Sequence, residues 1–557
     1  MPEKITLKSH VLIALVSGYF TLILNWSFFS KIYAYLFSLE QIHRVFAFVL
    51  PVFLFCFLYI LFSLLVIKGL TKLILIPMVI ISAMVSYASI YYGMVIDYGM
   101  IENVVQTDMA ESRTYINLYS IAYVSCLGLI PAWAIFKINI QYDRFLREIM
   151  FRSLFAGLAC VVLAGITLGF YQDFASVGRN NQSVQKLIVP NQWLYSAVKY
   201  VHKTYFHKTT PFQQLGDDAE RLVSGGKPQL FVLVLGETAR AQNYHFDGYA
   251  RQTNPYTEAR DFVSLGDIES CGTATAHSVP CMFSFLTRRN FDSNLAQNQS
   301  NLLEVLKKSG MDVRWIDNNS GCKGVCDKHG YVRISTDRSD PDCDGEFCFD
   351  QVLLRELDKI LAKPLQQDTV LVLHLIGSHG PTYYRRYPSD FRKFLPDCER
   401  SDIQNCSREE IVNTYDNTIL YTDYVLAQIA DLLDKHSEQL DTGMLYMSDH
   451  GESLGEDGLY LHGMPWSLAP VEQKTVPGLI WLSKSYSRDH QISMDCLAHL
   501  SRQAQLTQDF YVHSVLGLTG VGTSLYEPSL DFTAPCHESL SGSKNQWAAE
   551  PLSTPAS

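Results

Sequence analysis

The chain is 557 residues long, 48% hydrophobic and 12% aromatic, with a formal net charge of −11 at pH 7. That length is too great for one ordinary domain, and the acidic balance gives no reason to expect a nucleic-acid partner. The apolar residues are not evenly spread, and their placement decides the architecture.

Up to about residue 171, five long runs carry almost no charge: Val11–Phe29, Val45–Ile67, Leu73–Ile90, Leu118–Phe136 and Leu154–Tyr171. Each approaches or exceeds the roughly 18–20 residues that cross a bilayer as a helix, so five membrane spans are expected. No small-residue cleavage site follows the first run, which reads as an anchor rather than a signal peptide. Lys4, Lys8, Lys68, Lys72, Lys137, Arg144, Arg147 and Arg152 fall on one side of the bilayer, against Lys31, Arg44 and Arg113 on the other. By that asymmetry the N-terminus is cytoplasmic and everything after Tyr171 is exported.

The cysteines agree. Of 13, Cys56, Cys126 and Cys160 lie in apolar runs, where a thiol is a small hydrophobe. The others follow residue 270, and eight form close pairs: Cys271/Cys281, Cys322/Cys326, Cys343/Cys348 and Cys398/Cys406. Even numbers at short spacing in an exported domain predict disulfides, and the Cys-x2-Cys pairs of a zinc ribbon are missing. Cys496 and Cys536 are candidates for a fifth bridge.

After the spans, the expected plan is an interfacial linker over residues 172–224, a soluble domain over 225–537 and a disordered, Ser/Pro/Ala-rich tail over 538–557. Trp193, Leu194, Val198, Tyr200 and Phe206 suit helices lying on the membrane, or equally an amphipathic connector packed on the soluble domain. That domain shows short strands at Leu230–Leu235, Val313–Ile316, Thr369–Leu375, Met444–Met447 and Leu479–Leu482. Helical stretches such as Leu302–Ser309 and Asn417–His436 lie between them. The alternation predicts an α/β fold with a mainly parallel central sheet covered by helices on both faces.

In such sheets ligands bind at the carboxyl ends of strands. The first strand runs into Glu237, the third approaches His379 and the fourth delivers Asp449 and His450, with His462 in the same loop. One such residue alone would be a capping or solvated group. Three strands delivering carboxylates and imidazoles to one edge point to a metal site with an open position for catalysis. A hydroxyl nucleophile is sought in Ser270-Cys271-Gly272-Thr273-Ala274-Thr275-Ala276-His277-Ser278-Val279-Pro280-Cys281, a loop pinned by cysteines at both ends. Spacing does not choose among Thr273, Thr275 and Ser278.

Gly236-Glu237-Thr238-Ala239-Arg240, Cys271-Gly272-Thr273-Ala274-Thr275, Ser378-His379-Gly380-Pro381, and Ser448-Asp449-His450-Gly451-Glu452-Ser453 through His462 occur here in one order. That set resembles the phosphoethanolamine transferases that modify lipid A, the family including the mobile colistin-resistance enzymes. The resemblance covers nearly the whole chain. It implies an alkaline-phosphatase-like exported domain, Thr275 as nucleophile, and zinc held by Glu237, Thr275, Asp449 and His450. His379 and His462 would face the substrate, and a second zinc between them is left open. It also places Ser320 and Lys323 near the phosphoethanolamine group, and Asn103, Thr107 and Glu111 near the donor lipid, although those last three equally suit a solvated acidic loop. His277 stands where some relatives have Tyr.

The implied reaction moves phosphoethanolamine from phosphatidylethanolamine to lipid A in the bacterial inner membrane, by a monomer facing the periplasm, and confers polymyxin resistance. Another envelope acceptor, or a phosphoglycerol group, is the alternative. A sulfatase would need Cys-x-Pro-x-Arg or its Ser equivalent, and neither is present. A non-catalytic membrane scaffold would not need Glu237, Asp449 and His450.

Overall fold

The computed structural model describes residues 5–38, 44–171, 173–174, 182–206, 211–222, 226–327, 329–501 and 505–537. The expected tail over 538–557 lies outside them, as do parts of the expected linker. The chain divides into two compact units: Met1–Ile101 with Ile116–Tyr205, and Glu102–Tyr115 with Phe206–Ser557.

The first unit is helical. Val45–Leu65, Thr71–Tyr91, Leu118–Lys137 and Phe145–Gly169 are long and apolar enough to cross a membrane. The first apolar run differs from a single straight span. It forms the pair Ser9–Leu24 and Trp26–Phe37, bent by 57°, which makes a fifth span if counted as one. The break falls at Asn25, whose buried amide donates to the carbonyls of Phe20 and Val189 and accepts from Val189 N–H, at 3.0, 2.8 and 2.9 Å. A side-chain amide at a bend re-satisfies backbone groups where no water is available to do so. Ser17, Thr21 and Ser63 solve the same problem locally, each donating to the carbonyl four residues earlier at 2.7–2.8 Å. Asn191–Tyr205 is a helix that buries Trp193 and Ser196, with Trp193 Nε1 donating to Ser82 Oγ at 3.0 Å. Its Tyr195, Val198, Val201 and Tyr205 are exposed.

The second unit is built on an eight-stranded sheet. In chain order the strands are β1 (Gln229–Gly236), β2 (Val263–Glu269), β3 (Asp312–Asp317), β4 (Gly330–Arg333), β5 (Thr369–His374), β6 (Asp441–Ser448), β7 (Thr475–Leu482) and β8 (Leu506–Thr507). Across the sheet they run β8-β2-β7-β6-β1-β5-β3-β4. Only β7 is antiparallel to its neighbours. Every residue of β1, β5 and β6 is buried, as strands covered on both faces must be. Phe231, Leu233 and Leu235 enter a core with Val279, Phe283 and Leu516. Leu230, Val232 and Val234 point to the opposite face by the period-two alternation of a strand and are equally buried.

Two helices bear on the site: α1 (Thr275–Met282) and α2 (Arg408–Lys435). The sequence pattern starts the second helix at Asn417, nine residues late. Its true start is a capping box, Ser407 and Glu410 each bonding the other's backbone N–H.

Candidate active site

Because β1, β5 and β6 are parallel neighbours, their carboxyl ends share one edge. Gly236 pairs with Ser448 across β1 and β6, which sets Glu237 opposite Asp449. Thr238 takes a left-handed conformation, φ 59°. Its N–H then donates to Asp449 Oδ1 at 3.1 Å and its hydroxyl to Glu237 Oε1 at 2.6 Å. Gly451 lies against the carbonyl of Glu472, where a Cβ would collide with backbone. That close approach explains the glycine of Asp-His-Gly.

The three candidate hydroxyls separate clearly. Thr273 Oγ1 donates to the Met464 carbonyl at 2.6 Å, and Ser278 Oγ to the Asp449 carbonyl at 2.5 Å. Thr275 Oγ1 instead lies 3.1 and 3.2 Å from the two Glu237 oxygens and 3.2 Å from His450 Nε2. Thr275 is also the first residue of α1, where the helix dipole favours negative charge.

Glu237, Asp449 and His450 are buried, and one ligand atom from each lies within 4.8 Å of the others. His450 Nδ1–H donates to the Gly451 carbonyl at 2.9 Å, which leaves Nε2 directed at Thr275 and Glu237. Asp449 Oδ2 is buried without a hydrogen-bond partner among the described residues. Burial and then the facing Glu237 push Asp449 above the usual carboxylate range. Burial opposes charge on Glu237, yet His450 holds its carboxyl well below that range. Burial likewise works against a charged His450, but Asp449 and Glu237 carry it up to about 10. Two buried carboxylates, an unpartnered oxygen and an imidazole nitrogen that an incoming ion would relieve of its proton, all on one point, fit a divalent cation.

His462 sits beside this cluster, its ring 4.4 Å from that of His450. Its Nδ1 lies 2.9 Å from Glu452 Oε2, and Tyr383 donates to the other Glu452 oxygen at 2.6 Å. His379 lies 5.5 Å from His462, ring to ring, with Nε2 3.4 Å from Glu111 Oε1. Burial opposes its charge, but Glu111 overrides burial and raises its pKa. Glu111 comes from Glu102–Tyr115, a segment that belongs to this unit although it follows the third apolar run. A cavity lined by Asp108, Glu111, Asp317, Ser320 and His379 adjoins it. Lys323 Nζ reaches Ser320 Oγ at 2.9 Å and the Gln106 carbonyl at 3.4 Å. Thr107 Oγ1 donates to the Asn103 carbonyl at 2.7 Å, and neither residue lines that cavity. His277 meets Phe291 edge to face, with 4.8 Å between centroids.

Disulfides join Cys271–Cys281, Cys322–Cys326, Cys343–Cys348, Cys398–Cys406 and Cys496–Cys536. Cys56, Cys126 and Cys160 are free. The first bridge brackets Thr275 and the second encloses Lys323.

Two amides that the sequence does not flag complete the frame. Gln508 Nε2 donates to the carbonyls of Ser448 and Asp449, while its Oε1 accepts from Cys271 N–H and lies 3.1 Å from Ser278 Oγ. It thereby ties the Cys271–Cys281 segment to the end of β6. Asn319 Nδ2 donates to Glu237 Oε2 at 2.8 Å. Asn319 follows a strand end, which was a usable signal; Gln508 carries none.

A sulfatase family profile matches residues 229–521, and a profile described as phosphoethanolamine transferase EptA/EptB matches residues 54–205. Phosphoethanolamine transferase EptA of Escherichia coli (strain K12) is 37% identical over 533 residues, covering 94% of this chain and 96% of that protein. The chain belongs to the phosphoethanolamine transferase family. Phosphatidylethanolamine transferase Mcr-1 of Escherichia coli is also 37% identical, over 74% of this transferase and 78% of its own length. The integral membrane lipooligosaccharide phosphoethanolamine transferase A of Neisseria meningitidis superposes with a TM-score of 0.92 at 37% identity, covering 96% of this chain and all (100%) of that one.

Proposed function

We propose that the transferase moves phosphoethanolamine from phosphatidylethanolamine to a lipid A phosphate through a covalent Thr275 intermediate, beside one zinc ion held by Glu237, Thr275, Asp449 and His450. The observation that carries this reading is the Thr275 hydroxyl, at the first residue of α1 and within 3.2 Å of both Glu237 and His450. The lipid A acceptor follows the lipooligosaccharide named for the Neisseria relative.

Glu237 takes the proton from Thr275 Oγ1, which bonds to the donor phosphorus as the bond to the diacylglycerol oxygen breaks. That oxygen leaves with a proton from His379 or His462. A lipid A phosphate oxygen then displaces phosphoethanolamine from Thr275, whose Oγ1 regains its proton. A bound zinc ion would lower the pKa of the Thr275 hydroxyl and offset charge on the phosphoryl oxygens. The donor headgroup is assigned to the cavity at Glu111, Ser320 and His379, with Lys323 beside Ser320. The added ammonium offsets negative charge on lipid A and weakens binding of polymyxin-like cations.

The Lys and Arg asymmetry and the five disulfides support an inner-membrane protein with a cytoplasmic N-terminus and a periplasmic catalytic unit. Asn191–Tyr205, with its exposed aromatic residues, is assigned to the bilayer surface.

The test is a trapping experiment. Protein incubated with phosphatidylethanolamine alone should yield a phosphoethanolamine adduct on the Cys271–Cys281 peptide, and mass spectrometry of lipid A from expressing cells should show the same group. Thr275→Ala should abolish both, whereas Thr273→Ala should keep both. A fully modifying Thr275→Ala protein would rule out the covalent route.

A further inference from the structure

Behind Glu237 lies a chain of buried polar groups, of which Asp317 and Asn319 also line the cavity assigned above to the donor headgroup. Asp317 ends β3, His374 ends β5, and the two are register partners across the sheet. Both are fully buried, with His374 Nδ1 2.7 Å from Asp317 Oδ1. Asp317 also accepts from Gly321 N–H at 3.0 Å, Tyr331 OH at 3.3 Å and Trp315 Nε1 at 3.4 Å. Burial opposes its charge, yet His374 and these donors hold Asp317 below the usual carboxylate range. A carboxylate so surrounded fixes the histidine proton on Nδ1 and leaves Nε2 as an acceptor.

That acceptor meets Asn319 Nδ2 at 3.2 Å. The two hydrogens of that amide nitrogen are shared among three acceptors, the others being the Leu375 carbonyl at 2.9 Å and Glu237 Oε2 at 2.8 Å. Asn319 Oδ1 accepts from Ser320 N–H at 2.7 Å, so the amide has one orientation consistent with its neighbours. The Asn319 contact therefore fixes the Glu237 oxygen that Thr238 does not hold.

We propose that His374, locked by Asp317, is a positioning residue for the metal centre: through Asn319 it sets the orientation of the Glu237 carboxylate and hence how tightly the site holds zinc. This rests on the zinc reading above. Partners of a ligating carboxylate govern metal affinity because they hold it in place before the ion arrives, and losing one typically weakens binding about 10–100-fold. A simple staple between two strand ends would need only the Asp317–His374 pair. It would give no role to Nε2.

Substitutions at His374 separate these roles. In His374→Asn the amide nitrogen can replace Nδ1 as donor to Asp317, but nothing reaches Asn319. In His374→Gln the side-chain oxygen can replace Nε2. Zinc affinity of the full-length protein in detergent is measured by competition with a chromophoric chelator, alongside the Tm of metal-free and zinc-loaded forms. His374→Asn should bind zinc about 10–100-fold more weakly, keep the metal-free Tm and lose much of the rise in Tm on loading. His374→Gln should recover most of the affinity.

Asn319→Leu breaks the same link without disturbing Asp317–His374, so the test does not depend on His374→Asn folding. It should lose as much affinity, and adding His374→Gln or His374→Asn to it should change nothing further. Wild-type affinity in Asn319→Leu or in folded His374→Asn, or additive losses in the double variants, would overturn the inference. Wild-type protein that binds no zinc would overturn the zinc reading itself, and with it this one.

Discussion

The helical unit and the catalytic unit face one problem, polar atoms shut away from water. The helical unit meets it with local bonds beside the distant ones of Asn25 and Trp193, whereas the site of the catalytic unit leans on distant ones. In the helical unit Ser17, Thr21 and Ser63 return their hydroxyls to carbonyls four residues back. In the catalytic unit Gln508 bonds Cys271 across 237 positions and Thr238 bonds Asp449 across 211. Local bonding asks nothing of the fold beyond a helix. Long-range bonding makes each polar group depend on several others, so its loss should spread.

That contrast sets the order of expected effects. Replacing Asp449 and His450 together with Ala should remove stoichiometric zinc, read by elemental analysis, and cut transfer by on the order of 10⁴-fold or more. Full zinc content in a folded double variant would refute the ligand set. Gln508→Ala leaves two carbonyls and one N–H to find new partners. Unfolding in denaturant should show a loss of about 3–5 kcal/mol, and a cost below about 1 kcal/mol would mean that the Cys271–Cys281 segment is held by its disulfide alone.

His490 gives a pH-dependent test. It stacks on Tyr486 at 4.1 Å, and burial, then Arg221, push it from its ordinary 6.5 down to about 4. Between those values the unfolded chain binds the proton that the folded chain refuses. Its stabilising effect is therefore complete above pH 6.5 and lost as pH falls towards 4, a swing of about 3 kcal/mol. The stability difference between wild type and His490→Phe, followed across that window, should change by this amount. A constant difference would remove His490 from the account.

Ser17→Ala should mark the other end of the scale. Its bond never leaves its own helix, so thermal unfolding in detergent should register less than about 1 kcal/mol. A larger loss would break the contrast between the units.

Much of the site is legible in the sequence because a parallel sheet collects strand ends on one edge, and Glu237, His379 and Asp449 each follow an apolar run. The strands without that signal are not legible. β4 is exposed along its whole length, and β8 is two residues long. In β2, Ser264, Gly266 and Asp267 interrupt the apolar pattern. Thr275 is distinguished from Thr273 and Ser278 by which hydroxyl meets the Met464 or Asp449 carbonyl, a matter of tertiary contact rather than spacing. The bend at Asn25 hides for a related reason: one amide inside an apolar run is ordinary until Val189 arrives to use it.

The segment Glu102–Tyr115 changes what a truncated protein would report. A fragment begun near Phe206 would keep all five disulfides and every proposed zinc ligand, and it should still take up the ion. It would lack Glu111 against His379, Asp108 against Arg333 and Arg113 against Glu346. One wall of the cavity beside the histidine would be gone, and His379 would titrate in other surroundings. Turnover of a water-soluble phosphate ester by that fragment would therefore describe an enzyme with a different acid and an open pocket. Supplying residues 102–115 as a separate peptide would be the way to learn how much of catalysis resides in a helical segment that the chain borrows from between two apolar spans.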